Sequence, residues 1–150
     1  MSAIVIMQNM WVKDPAKVKE ILNRHPGAWQ YCVKRFLFSG CKTGRIFQQC
    51  WSNKVCELCV WDESTFEIAD NPRWVPNYDG MHMLNAIKPM KPNIIILVGK
   101  QARDGFASIC HYVDYGEPSI FRCQHPCARG SGVLPHLREI GNVLKKHFGV

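Results

Sequence analysis

Residues 93–98, Asn-Ile-Ile-Ile-Leu-Val, constrain the fold more than any other stretch of the chain. Five apolar residues, four of them β-branched, follow one another with no alternating polar side chain. A strand with one wet face alternates, whereas an unbroken run needs cover on both faces, as in the centre of a parallel sheet. Parallel neighbours need long crossovers, so helices are expected between the strands. Residues 3–8 form a comparable apolar run, and Asp14-Pro15-Ala16 then starts a helix with proline in its first turn, running to about Arg24. A helix over 43–49, a strand over 55–61 and a polar, proline-interrupted loop over 62–80 follow. Residues 81–88 read as helix closed by Pro89 and Pro92, Gly99 turns the chain into a helix over 101–110, and 119–124 supply a fourth strand. The terminal helix, 133–148, carries Lys145, Lys146 and His147 in its last turn, where they complement the helix dipole. This alternation predicts the α/β class: one three-layer α/β/α domain over 1–150, around a central, about four-stranded and mainly parallel sheet.

The 150 residues suit one domain with a single core. No apolar run approaches the roughly 20 residues of a membrane-spanning helix, so no membrane partner is expected. Met1-Ser2-Ala3 ahead of Ile4-Val5-Ile6 lacks the basic segment and cleavage site of a signal peptide. The expected location is cytoplasmic, or nuclear or nucleoid-associated, and not secreted. Nineteen Lys and Arg against twelve Asp and Glu give a net charge of +7, which favours a polyanionic partner such as nucleic acid, although basicity also serves solubility. Without a secretory signal, the eight cysteines read as free thiols or metal ligands rather than disulfides. Cys56 and Cys59, with Cys123 and Cys127 flanking His125, could in principle supply a zinc set. A strand over 55–61 would, however, send Cys56 and Cys59 to opposite faces. No metal and no cofactor are therefore expected.

Open parallel sheets bind ligands beyond the carboxyl ends of their strands. That rule selects Gln8-Asn9-Met10-Trp11, Asp62, Gly99-Lys100 and His125. Gly99-Lys100 lacks the upstream glycine and the following Ser or Thr of a phosphate loop, which argues against an ATPase. A Cys/His hydrolase is without a supporting signature.

Ile6-Met7-Gln8-Asn9-Met10-Trp11, Phe38-Ser39-Gly40-Cys41-Lys42-Thr43-Gly44-Arg45 and His125-Pro126-Cys127-Ala128-Arg129-Gly130 stand in this order along the chain. Together they resemble the uracil-DNA glycosylase superfamily, closest to its Asn-bearing mismatch-specific and single-strand-selective branches, in a short divergent form. Residues 91–102 likewise resemble the family's third strand and the helix entry after it. Met7 stands where the family has Gly and Met10 where it has Pro, residues that permit close backbone approach. The resemblance implies a monofunctional DNA glycosylase, a monomer acting on single- or double-stranded DNA. It assigns Asn9 to hold the attacking water and a neutral His125 to stabilise the departing base. Gln8, Met10, Trp11 and Phe38 would bind the turned-out ring, and Lys42, Arg45, Lys100 and Arg129 would meet phosphates. Asp62, at the place of a base-reading Asn, would disfavour plain uracil and suit a modified pyrimidine. Plainer roles compete: His125 bonding its own loop, Asn9 capping a turn, and Phe38 and the tryptophans packing the core. The alternative functions are a catalytically inactive nucleic-acid-binding relative and a small zinc- or thiol-dependent protein.

Overall fold

The structure, a computed structural model, describes residues 2–71 and 73–150. The chain opens with β1 (Ala3–Met7) and a two-residue β2 (Met10–Trp11), then passes through α1 (Pro15–Arg24), α2 (Trp29–Leu37), α3 (Lys42–Trp51) and α4 (Asn53–Leu58) to β3 (Val60–Glu63). After β4 (Ile68–Ala69) come α5 (Gly80–Met90), β5 (Ile94–Val98), α6 (Lys100–Ile109), β6 (Ser119–Cys123) and α7 (Val133–Phe148). The central sheet has four strands in the order β3-β1-β5-β6, and every neighbouring pair is parallel. The expected three-layer α/β fold is therefore present.

Both central strands, β1 and β5, are buried along their whole length, as an apolar run without alternation requires. Their side chains alternate between two cores. Val5, Met7, Ile96 and Val98 pack with α2, α3, α4 and α7, while Ile4, Ile6, Ile95 and Leu97 pack with α5 and α6. Each such side chain contributes about 1.5–3 kcal/mol when fully buried. In the first core the indole nitrogens of Trp51 and Trp61 donate to the carbonyls of Leu137 and Cys56, so these rings enter apolar surroundings with their polar atoms satisfied.

Three elements depart from the sequence expectation. Residues 55–61 are not one strand: Ser52 caps α4 by accepting a hydrogen bond from the Val55 N–H, and β3 begins only at Val60. Helix α2 has no sequence forecast, although Trp29, Val33 and Leu37 recur at helical spacing and are the buried residues of its inner face. Within the expected loop over 62–80, Ile68 and Ala69 pair with Met10 and Trp11 in a small parallel ladder. The other expected helices and strands are present with bounds shifted by no more than a few residues, though Asp14 at the start of α1 makes no side-chain cap bond.

Gly44 sets the spacing of α2 and α3. A Cβ there would lie 1.8 Å from the Leu37 carbonyl oxygen, so only glycine lets α3 start against the end of α2. That contact positions one wall of the cavity described next. Among the described residues no helix is long and apolar enough to cross a membrane.

Candidate active site

A cavity of about 290 Å³ lies beyond the carboxyl ends of β1 and β3, near the lower limit of small-molecule sites, about 300 Å³. Met7, Gln8 and Asn9, where β1 ends, line it together with Trp11 of β2. Glu63 enters from the end of β3, and His125 and Cys127 enter from the loop after β6. Phe36 and Leu37 of α2, with Cys41 and Thr43 at the start of α3, form a further wall. Four expected site residues, Gln8, Asn9, Trp11 and His125, thus meet in one cavity although they come from opposite ends of the chain.

Hydrogen bonds fix the two polar groups of greatest chemical interest. The Asn9 side-chain nitrogen donates to Met10 O at 3.1 Å, which leaves Oδ1 to accept from elsewhere. His125 Nδ1 accepts the Cys127 backbone N–H at 3.1 Å. A neutral imidazole that accepts at Nδ1 carries its proton on Nε2, so it can donate from its other edge. Burial holds the His125 pKa below its ordinary value of 6.5, favouring this neutral form. The Ser64 hydroxyl donates to Met7 O, and the Ser64 N–H donates to Gln8 O at 3.1 Å, tying the end of β3 to the end of β1. The Gln8 carbonyl is thus engaged within the fold.

Three expected base-binding residues lie elsewhere. Met10 is 1% exposed within the first core, and Met7 takes its place on the cavity wall. Phe38 packs edge-on against Trp61, with ring centres 5.0 Å apart, and borders a separate cleft with Tyr31 and Arg35. Phe36, two residues earlier on the last turn of α2, is the phenylalanine that lines the cavity, beside Trp11 and Trp74. Asp62 is turned away as well. Its carboxylate accepts from Trp29 Nε1 at 2.9 Å, Gln30 Nε2 at 2.8 Å, His82 Nε2 at 2.8 Å and the Glu63 N–H at 2.7 Å, joining α2 and α5 to the edge of the sheet. Strand alternation explains the exchange: Asp62 and Glu63 leave β3 on opposite faces, and Glu63 shares the cavity side with its register partner Met7. The expectation that the Asp62 carboxylate disfavours uracil falls with this placement.

Glu63 is the functional group that the sequence reading missed. It is 1% exposed, and its Oε2 has no hydrogen-bond partner. Burial first, then the neighbouring Asp62 and Cys41, raise its pKa well above the ordinary 4.5, which favours the neutral carboxyl.

The expected phosphate contacts are all exposed but not equivalent. Lys42 and Arg45 lie in the first turn of α3, and Arg45 Nη1 donates to Gly40 O at 2.6 Å. Lys100 is paired with Asp104 one helical turn on. Arg129 borders a second cleft with Arg103, Arg122 and His136, bringing in two further arginines that the sequence reading did not select. Cys56, Cys59 and Cys123 are buried, and burial pushes each thiol up to about 12. Among the described residues no three His, Cys, Asp or Glu side chains gather as a metal site.

No family model, curated protein or solved structure matches the chain.

Proposed function

We propose that the protein is a DNA glycosylase that hydrolyses the N-glycosidic bond of a base turned out of the strand. The observation that carries this reading is the meeting of Asn9 and a neutral His125 in one ring-sized cavity at the carboxyl end of a parallel sheet. Breaking the bond from C1′ of the sugar to the base sends the bonding pair to the base and leaves positive charge on the sugar. His125 Nε2–H donates to the base oxygen where negative charge grows, and the neutral ring keeps Nδ1 as the acceptor of the Cys127 N–H that orients it. Asn9 Oδ1 accepts a hydrogen bond from the attacking water and holds its oxygen toward C1′. The water oxygen bonds to C1′ and its proton passes to the departing base, giving a free base and an abasic sugar. Phe36 and Trp11 supply apolar ring surface for the base.

The protein acts on DNA as a monomer, in the nucleoid, nucleus or cytoplasm. Its net charge of +7 and the three arginines of the second cleft suit a strand backbone. Incubation with single- and double-stranded oligonucleotides carrying uracil or modified pyrimidines, followed by alkali, gives strand breaks at the substituted position. Release of no base across the panel refutes the enzyme reading. The same arginine cleft favours a second reading, nucleic-acid binding without catalysis, in which salt-sensitive binding survives loss of both Asn9 and His125.

A further inference from the structure

An unpartnered oxygen on a fully buried carboxyl destabilises a fold, and Glu63 Oε2 is such an atom. An apolar residue at the end of β3 would carry no such penalty, and the neighbouring Asp62 already ties the sheet edge to α2 and α5. Glu63 instead lines the cavity that holds Asn9 and His125. We infer that, within the excision reaction proposed above, Glu63 reads the turned-out base as a neutral carboxylic acid and selects an edge bearing one donor directly beside one acceptor.

The surroundings keep Glu63 in that state. Burial opposes its ionisation most, and Asp62 on the same strand and Cys41 at the start of α3 oppose it further. From the loop after β6 the cavity receives His125, whose lowered pKa disfavours its cationic form, and Cys127. No Lys or Arg among the described residues lines the cavity. A protonated carboxyl offers one O–H donor and one carbonyl acceptor on adjacent oxygens. Two base edges complement it: the N3–H beside O4 of a uracil-type ring, and N3 beside the amino group of a cytosine-type ring. The proton can sit on either oxygen, so both edges are accepted. A ring alkylated at N3 loses the pairing, because the carboxyl then faces a bulky group and a buried polar atom stays unmatched.

The test is single-turnover base release from oligonucleotides carrying uracil, cytosine-type bases or 3-methyluracil, with wild type, Glu63→Gln and Glu63→Ala. Wild type is expected to release a uracil- or cytosine-type base and to disfavour 3-methyluracil by about tenfold or more. Glu63→Gln, whose amide offers the same donor and acceptor, keeps that discrimination and loses the alkaline fall in rate that ionisation of Glu63 imposes. Glu63→Ala loses the discrimination. Should wild type release a base and Glu63→Ala discriminate as wild type does, the role of Glu63 is overturned while the excision reading stands. Glu63→Gln behaving like Glu63→Ala overturns the neutral-carboxyl role. Absence of release by wild type overturns the excision reading and, with it, this inference.

Discussion

Asp62→Asn separates the roles of the two adjacent carboxyls at the end of β3. Asp62 Oδ1 accepts from Trp29, His82 and the Glu63 N–H, and Oδ2 accepts from Gln30. An asparagine keeps its carbonyl oxygen on the first three donors, and the Gln30 amide can turn over to accept from the new NH2 group. The partners persist, but a bond to a charged acceptor is worth about 1.5–3 kcal/mol against about 0.5–1.5 for a neutral one. Four weakened bonds amount to about 4 kcal/mol, offset in part because the amide needs no desolvation of a charge, so a net loss of about 1–3 kcal/mol is expected. For a chain of this size that lowers Tm by about 2–12 °C. Urea and thermal unfolding followed by tryptophan fluorescence read the loss, and base release assayed in parallel should show relative rates among bases unchanged within about threefold. Unchanged stability together with a switched base preference would refute the facing of β3, since Asp62 would then be the residue in the cavity.

Other substitutions probe the same construction. Glu63→Gln should stabilise the fold above about pH 5: between the unfolded value near 4.5 and the higher folded one, unfolding releases a proton, so rising pH favours unfolding in wild type and not in the variant, as urea titrations at several pH values will read. The rate of base release should fall on the acid side as pH drops through the His125 pKa, below 6.5, because the protonated ring loses its acceptor bond to the Cys127 N–H; a pH–rate profile checks it. Gly44→Ala, which places a methyl 1.8 Å from Leu37 O, should cost at least about 1–3 kcal/mol in unfolding free energy and distort the Cys41–Thr43 wall. Replacing Arg103, Arg122 and Arg129 together by alanine should reduce the slope of log affinity against log salt by about 0.7 per lost phosphate contact on single-stranded DNA.

Much of this architecture is legible in the sequence because the strands carry their burial in their composition. The runs in β1 and β5 fix two central strands, and proline and glycine mark where several helices begin and end. From strand ends alone, Gln8, Asn9, Trp11 and His125 can be brought together. Failures cluster where local signals conflict. Cys56, Leu58 and Val60 suggest a strand, but Ser52 caps a short helix and delays β3 to Val60. Alternation counted from Trp61, buried on the α2–α3 side, assigns Glu63 rather than Asp62 to that side, so this residue was readable once the strand was correctly placed. Phe36 and Phe38 lie in and just after the last turn of α2, and only the unforecast helix decides which ring faces the cavity. The four donors around Asp62 come from α2, α5 and its own strand, a convergence that no local pattern encodes.

Single-turnover base release by wild type, Asn9→Ala and His125→Ala, with DNA binding measured alongside, tests the proposed reaction most directly. Loss of a group that acts in the transition state lowers the rate with little change in binding. His125→Ala should slow release by about 100–1,000-fold, the usual effect of removing one donor from a developing anion. Asn9→Ala should likewise nearly abolish turnover, and both variants should retain wild-type affinity for the oligonucleotide within a few fold. Base release by wild type that persists at full rate in either variant would contradict the assignment of water and leaving-group roles to the cavity that Asn9 and His125 share.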